Sequence, residues 1–475
     1  MKPTFIKNTI FFIFLLCTAL TFSQTEVKNK IVDFATLIPI ESASIYVKET
    51  TIGTVSNSDG KFALQVPKEF ETDTLVISSI GYKSYKIPVN EFDNSFEVYL
   101  EEDVASLDEI ILIAETRPKT GNDIVLKALE RLTENLPDSA YLQKGFLRHK
   151  ERNKREFKWL IESAITVYDS GYGSKSADEL KINVDQMRKS YDLRDVDSIF
   201  SYVAYTNQNS SRSRLKPKDV NRRDLSEAQL IKAIKWNDER VNGLQNLFGG
   251  KLNLVRNAND PKALFGEDIL ETHQFELDTI LVDNSRKLYK IRIGEGSKLV
   301  GLDTKGIFNE GYKAKGWLYI YYDNYAIKKI EYELEAASEA QKIRSKRLFD
   351  TKVNHKLVMT YIEYADKMYP NYIYYETPKL VNVGIKQTEK VSKEEEARYN
   401  KEERYYYTVQ EILFSEIVLD KEKIAEALAQ NWDDDIFSTK PYDQAFWENY
   451  NILLESEEDE QLIQDLSKRA SLYKQ

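Results

Sequence analysis

The sequence predicts a mixed β and α+β protein: a β-sandwich first, then an antiparallel, hairpin-rich sheet with packed helices, and a helical segment at the C-terminal side. Three observations carry this. Short β-rich runs recur at roughly ten-residue spacing in the first hundred residues. Apolar and polar residues alternate with period two from residue 273 onward. Between these regions lie two stretches with helical periodicity, at 122–136 and 226–248.

Residues 1–23 read as a secretory signal, with Lys2 and Lys7 ahead of the apolar run Ile10 to Leu20 and small residues at Thr21 and Ser23. That run is about eleven residues, too short for a spanning helix of roughly 20. Bulky Leu16 before Cys17 argues against a lipid-attachment site. Cleavage after Ser23 would remove the single cysteine, so the exported chain would hold no disulfide. Loss of Lys2 and Lys7 would take the net charge from −10 to −12, which argues against a nucleic-acid partner. No later apolar run is long enough to span a membrane, and the 42% of hydrophobic residues suffices for globular cores.

The sandwich is expected over residues 24–102. Its strand candidates are Ile45 to Val47, Phe62 to Val66, Thr74 to Ser78, Tyr85 to Val89 and Phe96 to Leu100. Asn57-Ser58-Asp59-Gly60 supplies the small polar residues and the glycine of a tight turn. The pattern begins with Asn29-Lys30-Ile31-Val32-Asp33, Pro39-Ile40 and Ala43-Ser44-Ile45-Tyr46-Val47. It continues through Gly53-Thr54, Ser58-Asp59-Gly60-Lys61-Phe62 and Ile80-Gly81-Tyr82, to Leu107-Asp108-Glu109-Ile110-Ile111. Over residues 27 to 112 it resembles the carboxypeptidase-regulatory-like domain of Gram-negative envelope proteins. The resemblance implies a seven-stranded prealbumin-like sandwich of the kind found in front of TonB-dependent receptors. It implies a location, exported to the periplasm and associated with the outer membrane, and a binding or scaffold role. It implies no peptidase chemistry.

Residues 103–121 read as a linker, and an α+β domain follows over 122–430 with no receptor barrel expected. Asn122 is the expected N-cap of a helix that buries Val125, Ala128, Leu129, Leu132 and Leu136 and ends at Pro137. Gly145 to Lys150 and Phe157 to Val167 read as a hairpin. Ser226 and Gln229 are spaced as a capping box for a helix that Gly249-Gly250 stops. Hairpin turns are expected at Asp283-Asn284-Ser285, at Asp323-Asn324 and near Pro370-Asn371. Long hairpins with helices on one face suggest a half-open barrel, by analogy with periplasmic lipoprotein carriers. Glu389 to Arg404 reads as a solvated charged segment, and residues 431–475 as helices docked on the sheet.

Chemistry-bearing motifs are sparse. The three histidines, His149, His273 and His355, stand apart in strand contexts without zinc-ligand spacing. No Gly-x-Ser-x-Gly elbow occurs, Gly294-Glu295-Gly296 lacks the rest of a dinucleotide fingerprint, and Asp433-Asp434-Asp435 fits a solvated loop. No catalytic residue, cofactor or metal is therefore assigned. Arg212, Arg214, Lys216, Lys218, Arg222 and Arg223 form a basic cluster in an acidic chain, suited to the phosphates of an anionic lipid or glycan. Leu107, Asp108, Glu109, Ile110 and Ile111 could pair as a strand with an envelope protein or outer-membrane component. The 30 tyrosines, clustered at Tyr319-Tyr321-Tyr322, Tyr372-Tyr374-Tyr375 and Tyr405-Tyr406-Tyr407, offer a binding platform or simple strand propensity. The expected function is a non-enzymatic binding or scaffold role. Carriage of a lipid in a half-open barrel and hydrolysis of peptide or glycan are the alternatives.

Overall fold

The computed structural model describes residues 24–103, 117–152, 156–174, 180–193, 196–210, 215–242, 244–250, 252–258, 260, 263–302, 311–340, 342–343, 346, 354–382, 403–470 and 473. The signal segment, Leu107 to Ile111, Arg212, Arg214 and most of the charged stretch 389–404 lie outside these residues.

Seven strands form the N-terminal module: β1 (Gln24–Asp33), β2 (Ser44–Val47), β3 (Gly53–Val55), β4 (Lys61–Pro67), β5 (Thr74–Ser78), β6 (Tyr85–Pro88) and β7 (Val98–Leu100). They make two sheets, β4-β1-β7 and β3-β2-β5-β6. β4 alternates buried and half-buried residues along its length, so Phe62, Leu64 and Val66 enter a core with Ile31, Ile45, Leu75 and Ile77. Asn57 builds the expected turn: its side-chain oxygen accepts from the amides of Asp59 and Lys61, and Gly60 takes a φ of 73°.

The body is one ten-stranded antiparallel sheet. Its strands are β8 (Tyr141–Arg152), β9 (Phe157–Asp169), β10 (Leu180–Tyr191), β11 (His273–Asp283), β12 (Arg286–Glu295), β13 (Tyr312–Tyr321), β14 (Ile327–Ala336), β15 (Asn354–Tyr364), β16 (Lys367–Asn382) and β17 (Glu403–Val418). The order is β10-β9-β8-β17-β16-β15-β14-β13-β12-β11, so β10 and β11 are edges and the sheet does not close into a barrel. The turn between β11 and β12 is the predicted one. Asn284 and Ser285 have φ of 49° and 69°, the left-handed pair that matches the twist of a two-residue hairpin.

The helices are α1 (Gly121–Glu130), α2 (Leu132–Asn135), α3 (Val196–Asn209), α4 (Glu227–Asn242), α5 (Leu244–Gly249), α6 (Ile269–Thr272), α7 (Lys421–Leu428), α8 (Gln444–Glu448) and α9 (Glu457–Ser467). Ile124 and Val125 of α1, Leu230 and Ile234 of α4, and Leu247 and Phe248 of α5 share one core with the inner face of the sheet, including Leu147, Ile161, Ile291, Leu318 and Ile330. The capping box forms as expected: the Ser226 amide donates to Gln229 Oε1 at 2.9 Å and the Gln229 amide to Ser226 Oγ at 3.3 Å.

Three local expectations need correction. Thr120, not Asn122, caps α1, accepting from the Asp123 amide at 3.1 Å, while the Asn122 side chain accepts from the Phe275 amide of β11. The turn near Pro370 lies instead at Ala365-Asp366, with φ of 48° and 62°. Pro370 sits inside β16 at an irregularity opposite Tyr361, a place where a strand tolerates a missing N–H. Residues 449–456, expected to continue a helix, run outside any helix between α8 and α9.

Candidate functional site

The outer face of the large sheet carries the sandwich. Val55 of β3 packs with Phe146 of β8, Tyr372 of β16 and Leu413 of β17, together with Trp447 and Leu453 from the C-terminal segment. At the β11–β12 turn the Gly81 amide donates to Val282 O at 2.8 Å, and Asn284 Nδ2 donates to the Tyr46 hydroxyl at 3.2 Å. The segment after α8 straps the module down. Asn451 meets the backbone of Gln65 with both ends of its amide, accepting from the amide N–H at 2.8 Å and donating to the carbonyl at 3.2 Å. That contact covers part of the edge of β4, the outermost strand of its sheet. Asp59, the turn residue, accepts from the Glu457 amide at the start of α9.

A groove of about 820 Å³ opens beside this module, between the loop residues Glu41 and Ser42 and the outer faces of β12, β13, β14 and β15. Its charged lining is balanced: Arg292, Lys313, Lys315, Lys329 and Lys356 against Glu41, Glu295, Glu331, Glu333 and Glu335. Lys313 pairs across strands with Glu295 at 2.7 Å and Lys315 with Glu333 at 3.1 Å, while Lys329 pairs along β14 with Glu331 at 2.7 Å. Half-buried Trp317 is the one aromatic ring of the outer face that lines it. The Lys290 ammonium lies 4.2 Å from the indole centroid and steadies it.

The inner face is different. Between the sheet and the ends of α2 and α5, lined by Leu136, Tyr141, Val167, Phe248, Met368 and Phe414 among others, remains a slot of about 40 Å³. That is room for a few waters, not for an acyl chain.

Further along the same face lies a buried polar cluster. His149 Nε2 is 3.2 Å from Asp238 Oδ1 of α4, and Lys379 Nζ is 3.3 Å from the same oxygen and also pairs with Glu151. The Trp159 ring lies 4.7 Å from that ammonium. Burial pushes the Asp238 carboxyl up, but His149 and Lys379 outweigh it and hold the group down at about 2. The composition resembles catalytic machinery, but no member is more than 3% exposed at its side chain, so no substrate reaches it. It is a structural tie between α4 and the sheet.

His273 and His355 are also buried. His273 Nε2 bonds the Tyr332 hydroxyl at 2.8 Å and His355 Nδ1 the Thr377 hydroxyl at 2.9 Å; burial lowers both imidazoles to about 4. Neither is a surface histidine.

A second buried network faces outward under the strap. Arg148 Nη2 lies 3.0 Å from Glu162 and 2.7 Å from Glu455, Arg188 Nε is 2.6 Å from Glu162, and Lys150 Nζ is 2.5 Å from Asp459. Burial raises Glu455 to about 7; Arg148 opposes this and Glu162 adds to it.

Of the sequence-predicted basic cluster, Arg212 and Arg214 lie outside the described residues. Lys216, Lys218 and Arg223 are exposed, while Arg222 turns inward and donates to the carbonyls of Leu193 and Leu225 at 2.9 and 3.0 Å. Of the clustered tyrosines, Tyr319, Tyr321, Tyr372, Tyr375 and Tyr406 are buried, in keeping with strand propensity, while Tyr322, Tyr374 and Tyr407 are half-buried. Asp435 of the aspartate run pairs with Lys235 at 2.6 Å, and among the described residues no group of three or more His, Cys, Asp or Glu side chains is placed to hold a metal. Sequence reasoning missed the groove, whose residues come from four strands and a distant loop. The alternating Lys and Glu of 313–335 were its only signal.

Residues 27–112 match the CarboxypepD_reg-like domain, so the chain carries a domain of that family. Over 110 residues it is 34% identical to the TonB-dependent receptor SusC of Bacteroides thetaiotaomicron, a match that takes in 22% of this chain and 10% of the receptor. The chain thus matches about a tenth of that receptor's length. Three solved structures are similar in part. A LolA superfamily protein from Nitrosomonas europaea has 10% identity and a TM-score of 0.21, covering 68% of this chain and 99% of the other. A DUF1329 family protein from Desulfovibrio piger has 9% identity and a TM-score of 0.26, covering 63% and 92%. A membrane-associated protein of unknown function from Bacteroides fragilis has 10% identity and a TM-score of 0.14, covering 83% and 96%. At these scores none of the three bears on ligand or partner. Among the described residues no helix is long and apolar enough to cross a membrane.

Proposed function

We propose that the protein is an exported, non-enzymatic envelope protein that works by binding at the periplasmic side of the outer membrane. The single observation that supports this best is the placement of the sandwich. It is locked onto the outer face of the sheet at two separate contacts, and a polar groove of about 820 Å³ is left beside it. Two modules joined in this way present one continuous surface. The envelope location rests on the CarboxypepD_reg-like domain and on the partial match to the receptor.

The alternatives are less well supported. Lipid carriage needs an interior space that the 40 Å³ slot does not supply. Hydrolysis needs carboxylates that are both converging and accessible. The buried cluster is sealed, and in the groove Glu295 pairs with Lys313, Glu331 with Lys329, and Glu333 and Glu335 share Lys315.

The test is site-specific photo-crosslinking in intact envelopes, with the probe at Ser42 or Lys313. The expected result is an envelope-localised protein with crosslinks to an outer-membrane component. Recovery in the cytoplasm, or substrate turnover by the purified chain, would overturn the reading.

A further inference from the structure

We infer that the groove beside the sandwich is a binding site for a neutral oligosaccharide, with Trp317 as the stacking surface and the lysine–glutamate pairs of β13 and β14 as hydrogen-bonding rails. This rests on the binding role proposed above and names its ligand class.

Charge decides first. The lining sets five cationic against five anionic side chains, so the groove has no net attraction for a strongly charged ligand. A polyanion would gain the lysines only by displacing Glu295, Glu331 and Glu333 from them, and it would meet those carboxylates at close range. An apolar ligand would strip water from ten charged groups, far more than its own burial returns. A polyhydroxylated neutral chain avoids both costs. Each hydroxyl donates to a carboxylate and accepts from an ammonium, so it bridges an existing pair without separating it.

Shape decides between a sugar and a peptide. Strands β12, β13, β14 and β15 are each paired on both sides, so the floor offers no free edge for an extended peptide to join. Its apolar feature is the indole, whose flat surface suits the C–H face of a pyranose ring. Gly316 lies beside it with a φ of 140°, and a Cβ there would meet Glu331 O at 1.9 Å. The position therefore stays glycine, because the β14 backbone leaves no room there for a side chain. On the sandwich side Ser42 holds a φ of 57°, a left-handed conformation that places Glu41 and Ser42 at the rim.

The test is isothermal titration of the full chain against neutral gluco-, manno-, xylo- and N-acetylglucosamine oligomers of six units, with oligogalacturonate and a neutral hexapeptide alongside. The expected result is micromolar binding of at least one neutral oligomer, changing less than threefold between low and high salt. Trp317→Ala is expected to weaken it at least tenfold. Lys127 and Glu130 form an exposed pair on α1 outside the groove, and the swap Lys127→Glu with Glu130→Lys serves as the control, with binding within threefold of the parent. The inference is overturned if no neutral oligomer binds, if Trp317→Ala binds as well as the parent, or if only oligogalacturonate or the peptide binds. Failure here with intact crosslinks at Ser42 or Lys313 would remove the ligand class and leave the binding role standing.

Discussion

Arg148 and His149 are consecutive on β8, yet they leave the sheet on opposite faces and each enters a separate buried ionic network. Arg148 meets Glu162 and Glu455 beneath the C-terminal strap, and His149 meets Asp238 on the helix-covered face. One strand thereby fastens a layer on each face of the sheet.

Replacing Arg148 with Met leaves Glu162 and Glu455 buried beside one another with a single arginine, Arg188, on the Glu162 side. Breaking one partner of a buried pair costs about 3–5 kcal/mol. Urea unfolding should show that loss. Limited proteolysis should show early cleavage within 443–470, because the strap loses its main anchor. A variant that unfolds like the parent would show the network to be dispensable.

Lys379→Met strips the inner cluster of the cation that Asp238 and Glu151 share. The expected destabilisation is again about 3–5 kcal/mol. Adding Asp238→Asn to Lys379→Met should recover part of it, because the stranded charge is removed. A double-mutant cycle with no coupling between the two positions would contradict the geometry.

Glu455 makes stability pH-dependent. Its carboxyl is raised from the ordinary 4.5 to about 7 in the folded chain, so the protonated form favours folding. The contribution is fully present below about pH 4.5 and is lost as pH rises through about 7. Each tenfold gain in proton affinity on folding is worth about 1.4 kcal/mol, so unfolding free energy should fall by roughly 1–3 kcal/mol between about pH 5 and pH 8. Glu455→Gln should flatten that slope in urea titrations across the range. Asp238 acts at the other extreme: its depressed carboxyl stabilises above the ordinary 3.8, and that contribution is lost as pH falls toward about 2.

Asn451→Ala removes the amide that meets the β4 backbone at Gln65. The expected cost is about 1 kcal/mol for each lost hydrogen bond. The more telling readout is association, since an uncovered edge pairs readily with a second chain. Light scattering on heating should rise earlier than for the parent; identical traces would show that the edge is protected by other means.

β2, β4 and β7 were legible because buried and more exposed residues alternate along each, and Asn57 and Gly60 mark the turn before β4. The same holds for the β11–β12 hairpin, where Asn284-Ser285 specifies the turn. β9 is only partly legible, because all thirteen of its residues are buried and no alternation survives to be read. The charges of Arg148, Lys150 and Glu162 suggest solvent, but the strap covers them. That cover comes from residues about three hundred positions away, beyond the reach of any local pattern. Of the candidate site, only the alternation of lysine and glutamate was visible; the rim at Glu41 and Ser42 required the packing of the two modules.

The bond between Asn451 and Gln65 spans 386 positions, and that between Glu457 and Asp59 spans 398. During synthesis, then, the first module can fold early, but its contacts with the strap must wait until residues 451–457 have emerged. Its seat is finished last. Any chaperone or export factor that engages the nascent chain has that interval in which to handle the two parts as separate bodies.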